Sequence, residues 1–161
     1  MKPIKPVLIV LVATMLAGCT GITISSDQRQ AIAEIVVARD DNGPPVKIHQ
    51  ITGFDVKATE TQPAGKSLVV FIEVEVDKNN NVDPNHRAIN DCLRVIENFR
   101  KHGLPAGYTI LEVLGELPYG LVHQPYNRTV YYGYIINQDE LNNSRPPRLT
   151  YKEFKRMFPL F

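Results

Sequence analysis

Hydrophobic and polar positions change period several times along the chain, and those changes mark out its elements. Residues 68–77, LVVFIEVEVD, alternate most cleanly. Leu68, Val70, Ile72, Val74 and Val76 face one way while Glu73, Glu75 and Asp77 face water, which predicts a strand. Residues 46–58 also alternate. Val46, Ile48, Phe54 and Val56 share one parity, Lys47, His49, Asp55 and Lys57 take the other, and Gly53 is the expected bulge. QPAGK at 62–66 is the turn between these two strands. The period then becomes helical, with Ile89, Cys92, Leu93, Ile96 and Phe99 forming one stripe. Asp83 suits the N-cap and Pro84 the first helical position. Lys101 and His102 suit the last turn and Gly103 the stop, so a helix is predicted over 84–102. TILEVL at 109–114 and TVYYGYII at 129–136 read as two further strands, with PYGLVHQPYN as the loop between them.

The two ends of the pattern are less regular. Residues 31–39, AIAEIVVAR, carry two opposed signals. Asp27 and Gln30 have capping-box spacing, which favours a helix, whereas the β-branched cluster Ile35-Val36-Val37 favours a strand; the balance leans to a strand. DDNGPP then makes a turn. After NSRPPR, an irregular spacer, Thr150 and Glu153 again have capping-box spacing. Leu149 and Phe154 could staple its start, and Phe154, Met157 and Phe158 would form an apolar face, which predicts a short C-terminal helix over about 150–158. The order β-β-β-α-β-β-α predicts an α+β fold. It is a single domain with a mostly antiparallel or mixed sheet, one main helix packed on it and a short last helix. No internal repeat or low-complexity tract divides the chain.

The first 19 residues, MKPIKPVLIVLVATMLAGC, belong to a different pattern. Lys2 and Lys5 form a short basic region, and Val7 to Leu16 is apolar apart from Thr14. Ten residues are too few to span about 30 Å of hydrocarbon as a helix, which takes about 20. Leu16-Ala17-Gly18-Cys19 resembles the lipobox of bacterial lipoproteins. The resemblance covers only these residues, and no family is recognised in residues 20–161. It implies a signal peptide over 1–18, a diacylglyceryl group on the Cys19 thiol, cleavage between Gly18 and Cys19, and acylation of the new amino group. Thr20 rather than Asp follows the cysteine, which in such lipoproteins implies the outer membrane, facing the periplasm, where the host has one. Residues 19–30 are then the lipidated cysteine and a polar tether, and 31–161 the folded domain. Ten extended residues reach roughly 33–36 Å, so the domain stays near the membrane.

Composition adds mainly exclusions. Lys and Arg total 18 and Asp and Glu 17, for a net charge of +1, so no bulk field attracts nucleic acid. Removing residues 1–18 takes two lysines and no acid and leaves about −1. Charged residues at 22% and hydrophobic residues at 43% are those of a globular domain, and two cysteines exclude a disulfide scaffold.

Candidate chemistry is sparse. Cys92 is the one thiol after Cys19. Paired with a histidine such as His123 it would be a nucleophile, but it lies on the apolar stripe and more than two turns beyond Asp83, which favours a buried structural thiol. DKNNNVDPN at 77–85 places Asp77, Asn79, Asn81 and Asp83 at calcium-loop spacing. Val82 stands where glycine is needed and Ala88 where a bidentate Glu is needed, so a polar loop with an N-cap is the better reading. His49, His86, His102 and His123 show no zinc spacing, and no nucleophile elbow or phosphate loop is present. No catalytic residue, metal ligand or cofactor is assigned. Arg145, Arg148, Lys152, Lys155 and Arg156, with Glu153 among them, read as a solvated helix face.

The aromatic segment stands out: Tyr119, Tyr126, Tyr131, Tyr132 and Tyr134 lie close together. Tyr132 and Tyr134 share a face with Val130 and Ile136, and Tyr131 lies on the other. Tyrosines give contact area plus a hydroxyl, so Tyr126, Tyr131, Tyr132 and Tyr134 are the candidate surface for a protein or glycan partner, against the plainer role of packing the sheet. The expectation is a non-enzymatic binding or assembly module anchored in the cell envelope. The alternative is a small envelope hydrolase whose site is built from scattered residues.

Overall fold

The computed structural model describes residues 21–38, 46–60, 63–74, 84–116 and 128–155. They form β1 (Gly21–Ile22), α1 (Ser26–Val37), β2 (Lys47–Val56), β3 (Gly65–Glu73) and α2 (Pro84–His102). Then follow β4 (Ile110–Glu116), β5 (Arg128–Asn137), α3 (Gln138–Asn142) and β6 (Arg148–Lys155). The strands make one sheet in the order β1-β2-β3-β4-β5-β6. β3 and β4 run parallel, and the other neighbouring pairs run antiparallel. A parallel pair needs a crossover, and α2 is that crossover. The α+β fold with a mixed, mostly antiparallel sheet is the one expected.

All three helices contribute to the core on one side of the sheet. Ile32 and Val36 of α1, Cys92, Val95, Ile96 and Phe99 of α2, and Leu141 of α3 meet Ile51, Leu68, Val70, Ile72, Leu111, Val113 and Ile136 from the strands. The other side carries a smaller cluster of strand residues only: Phe54, Val69, Phe71 and Leu114, with Tyr131 against them. β3 is therefore buried on both faces, and Val69 and Phe71 pack where a one-sided strand would meet water. Val76, Glu75 and Asp77 lie outside the described residues.

α2 follows its expected bounds. Its fully buried positions are Ala88, Cys92, Val95, Ile96 and Phe99, while Ile89 and Leu93 are only partly buried, so the stripe is turned slightly from the expected one. Gly103, with φ 80°, ends the helix as its N–H donates to the carbonyl of Phe99 at 2.7 Å. A Cβ on Gly115 would lie 3.1 Å from that of Ala88, so the helix sits close to β4 because both residues are small.

Several expectations at the ends are corrected. Residues 31–37 do not form a strand. They belong to α1, with Ala38 as its C-cap, which makes a second main helix. Its N-cap is Ser25, whose hydroxyl accepts from Gln28 N–H at 3.2 Å while the Gln28 side chain accepts from Ser25 N–H at 3.3 Å. The capping box thus lies two residues before the Asp27–Gln30 pair. Ile32 and Val36 bury against α2, and Asn98 of α2 donates to the carbonyls of Val36 and Ala38 at 3.3 and 3.0 Å, so tertiary packing outweighs the β propensity of this segment. The tether over 19–30 is likewise replaced from Gly21 onward, because Gly21 and Ile22 pair with Phe54 and Gly53.

In β2 the irregularity lies between Ile48 and Gln50, not at Gly53. The extra residue reverses the parity, so Val46, Ile48 and Ile51 face the helices and Phe54 faces away. Gly53 has a different reason: a Cβ there would lie 2.9 Å from the Tyr108 hydroxyl oxygen.

The helix expected over 150–158 is also corrected, since residues 148–155 are β6, paired with β5 from Arg128↔Lys155 to Ile135↔Arg148. The short helix near the C-terminus is α3 instead, capped by a reciprocal box between Asn137 and Glu140. Ser144, with φ 52°, then lets the Ser144 and Arg145 N–H groups reach the carbonyls of Leu141 and Glu140, and the chain turns back along β5. Leu149 does not form a staple and is 61% exposed.

The tightest approach in the sheet is at Gly133, opposite Leu114, where a Cβ would lie 1.8 Å from the Val113 carbonyl oxygen. Gly133→Ala is expected to cost at least about 3 kcal/mol in urea unfolding. Gly107→Ala has open space but a φ of 92°, and should cost only about 1–2 kcal/mol. Equal costs would show that β4 and β5 yield easily at this point.

Candidate functional site

The residues singled out in the sequence separate into three groups. Cys19, Tyr119, Tyr126 and His123 lie outside the described residues, as does most of the 77–85 loop. Tyr131, Tyr132 and Tyr134 lie on β5, which is held between β4 and β6. Cys92 lies on the buried face of α2.

β5 directs its tyrosines to opposite sides. Tyr134 packs against the helix-side core, next to Val113 in register. Tyr131 packs against the strand-only cluster, with its ring edge-on to Phe71 at a centroid distance of 5.3 Å and an angle of 75°. Such a pair adds about 0.5–1.5 kcal/mol beyond the area it buries. All three tyrosines are partly buried, so each divides its surface between packing and solvent. They do not form one patch, because alternation in a strand places Tyr131 and Tyr132 on different faces.

Cys92 is fully buried, and its thiol lies 3.7 Å from the carbonyl oxygen of Tyr132. Burial pushes its pKa far above the ordinary thiol value, and the neighbouring Asp91 carboxylate pushes the same way; a hydrogen bond from the Gly115 backbone opposes them weakly. A thiolate is the nucleophile and this thiol stays protonated, so the geometry supports packing rather than attack. Asp91 is itself buried, with the guanidinium groups of Arg87 and Arg94 at 3.6 and 3.4 Å, one turn away on either side. His49 lies 3.8 Å from Glu73 at an exposed position, and His86 and His102 are exposed on α2. Among the described residues, no three of His, Cys, Asp and Glu cluster as a metal site would require.

Two features of the surface had no clear signal in the sequence. The basic residues Arg148, Lys152 and Lys155 lie on an edge strand, not on a helix face. Arg148 is held by Glu140 at 3.6 Å, a residue that also closes the α3 capping box. Leu149, next to it, lies across from Tyr134 and is exposed. The alternation Leu149-Thr150-Tyr151 was the available clue, and the capping-box spacing masked it.

A scan against protein-family models gives no match, and searches of curated proteins and of solved structures give none either. Among the described residues, no helix is long and apolar enough to cross a membrane.

Two outcomes follow from this geometry. The unfolded thiol ionises above roughly pH 8.5 while the folded one does not, so stability is lost as pH rises beyond that point. Cys92→Ala should flatten the fall in stability above that pH by up to about 1.4 kcal/mol per pH unit, one proton's worth; an unchanged slope would show that the thiol is not the group responsible. Tyr131→Ala should lower stability by about 2 kcal/mol while Tyr131→Phe stays within about 0.5, as chemical denaturation would show. A large loss in the Phe variant would mean that the hydroxyl matters more than the ring.

Proposed function

We infer that the protein is a lipid-anchored component of the bacterial cell envelope that acts as a non-enzymatic binding or assembly module. The observation that carries this reading is the run Leu16-Ala17-Gly18-Cys19 immediately before the folded body. Each buried CH₂ of an acyl chain contributes about 0.8 kcal/mol; one chain holds marginally and two or three hold stably. With Thr20 after the cysteine, the outer membrane is the destination in a host that has one.

The fold adds to this reading. Gly21 is already in β1, so one residue, Thr20, separates Cys19 from the sheet, a span of at most about 7 Å. A body held so close to a membrane meets neighbouring envelope components at high effective concentration, and a small interface then suffices. The hydrolase alternative gains no support from Cys92, whose thiol is buried and protonated.

Growth with a clickable fatty acid should label the protein, and Cys19→Ser should abolish the label. Labelling that survives the substitution would remove the anchor from this reading. Crosslinking in living cells should then recover one dominant envelope partner with the anchored form and much less of it with Cys19→Ser. Equal absence from both would count against a binding module.

A further inference from the structure

The point where the chain enters the sheet is held from several sides. β1 pairs Gly21 with Phe54 and Ile22 with Gly53. Two residues on, Ile24 is buried in the helix-side core, and Ser25 closes the capping box that starts α1. Arg29 of α1 then donates from Nη1 to the Ile51 carbonyl at 3.1 Å. From Gly21 onward the backbone is therefore part of the folded body and not a leash to it. Only Thr20 stands between Gly21 and Cys19, and the chain from one to the other spans at most about 7 Å.

The register also fixes the place of attachment. β1 runs antiparallel to β2, so Gly21, opposite Phe54, is the end of β1 nearest Asp55 and Val56, where β2 finishes. A lipid on Cys19 is thereby tied to one corner of the sheet, at its first edge and at the end that carries the connection from β2 to β3. The described surface of that corner has no other hold on a bilayer. Asp55 faces Lys66 across the ladder, exposed Lys57 is followed by exposed Glu60, and the exposed Ala58 and Ala64 are small. Charges of both signs side by side give a headgroup layer little to attract or repel, and alanines bury little area in it.

We propose that the corner formed by β1 and the end of β2 is the surface that meets the bilayer, seated against the lipid headgroups by the acyl anchor alone while the rest of the domain tilts about it. The proposal rests on the lipid-anchor reading and names the surface that the anchor brings to the membrane. A body held this way cannot swing outward on a tether, so a partner has to come within the domain's own dimensions of the membrane.

The test uses the protein purified from bacterial membranes and reconstituted into phosphatidylcholine vesicles that contain headgroup-spin-labelled lipid. A bimane probe is attached to a single introduced thiol: Ala58→Cys or Ala64→Cys at the corner, His49→Cys along β2, or Leu149→Cys across the sheet. Cys92 is fully buried and an acylated Cys19 has no free thiol, so only the introduced cysteine takes the probe. His49 and Leu149 each lie roughly 20 Å from the corner, the one by the rise along a strand and the other by four strand spacings. The spin label should quench the corner probes at least about twofold more than the distant ones, and about 0.5 M salt should leave that contrast unchanged. Quenching at His49 or Leu149 as strong as at Ala58 overturns the proposal, because a second contact then holds that edge or that end flat. A contrast erased by salt also overturns it and assigns the seating to charge. About ten Gly-Ser residues inserted between Thr20 and Gly21 should abolish the contrast while the protein stays on the vesicles. A contrast that survives the insertion overturns the proposal by giving the corner a membrane affinity of its own. Failure of the anchor reading looks different: the Cys19→Ser protein would then bind the vesicles as fully as the parent, whereas binding that needs Cys19 with equal quenching at every position removes this proposal alone.

Discussion

Burial of β3 and β4 on both faces is the constraint from which the rest of the structure follows. β3 sends Leu68, Val70 and Ile72 toward the helices and Val69 and Phe71 the other way; β4 does the same with Leu111 and Val113 against Leu114. Strands buried on both sides cannot sit at an edge, so they take the middle of the sheet. Running parallel, they require a crossover, and α2 supplies one long enough to lay its apolar stripe across them. Close approach is possible because Ala88 and Gly115 face each other with little side chain between them. The outer strands then add antiparallel on each side, and each needs only one well-packed face.

The same packing explains why the residues that look chemically active in the sequence serve the fold instead. Cys92 lies fully buried in the core, where a thiol fills space and an ionised thiolate would be costly. Asp91 is beside it on the helix but meets two arginines, which keep a buried carboxylate tolerable. Asn98 spends its amide on the last carbonyls of α1, holding the two main helices together. Tyr131 spends its ring on Phe71. These four side chains are engaged with the fold.

The sheet has a direction. The chain enters the sheet at β1, so a lipid on Cys19 would hold the β1 side near the bilayer, and successive strands lead away from it to β6. The strands follow one another across the sheet in simple chain order, and at its first edge β1 covers Gly53 and Phe54 of β2 while Arg29 takes the Ile51 carbonyl.

Periodicity alone determined the central elements, because β3, α2, β4 and β5 bury long regular runs whose period is set by backbone geometry. The rest depended on contacts between distant segments. The reciprocal cap formed at Ser25–Gln28 and at Asn137–Glu140, while the same spacing at Asp27–Gln30 and Thr150–Glu153 did not start a helix. Local spacing could not choose among them. α2 decided the first by burying Ile32 and Val36, and β5 decided the second by offering 148–155 a strand to pair with. The bulge between Ile48 and Gln50 had no composition signal, and it alone moved Phe54 to the far face. The separation of Tyr131 from Tyr132 and Tyr134 was visible in their alternation, but which face would be covered by helices was not. Side-chain period is a property of one strand, whereas burial of a face is a property of what the whole chain lays upon it.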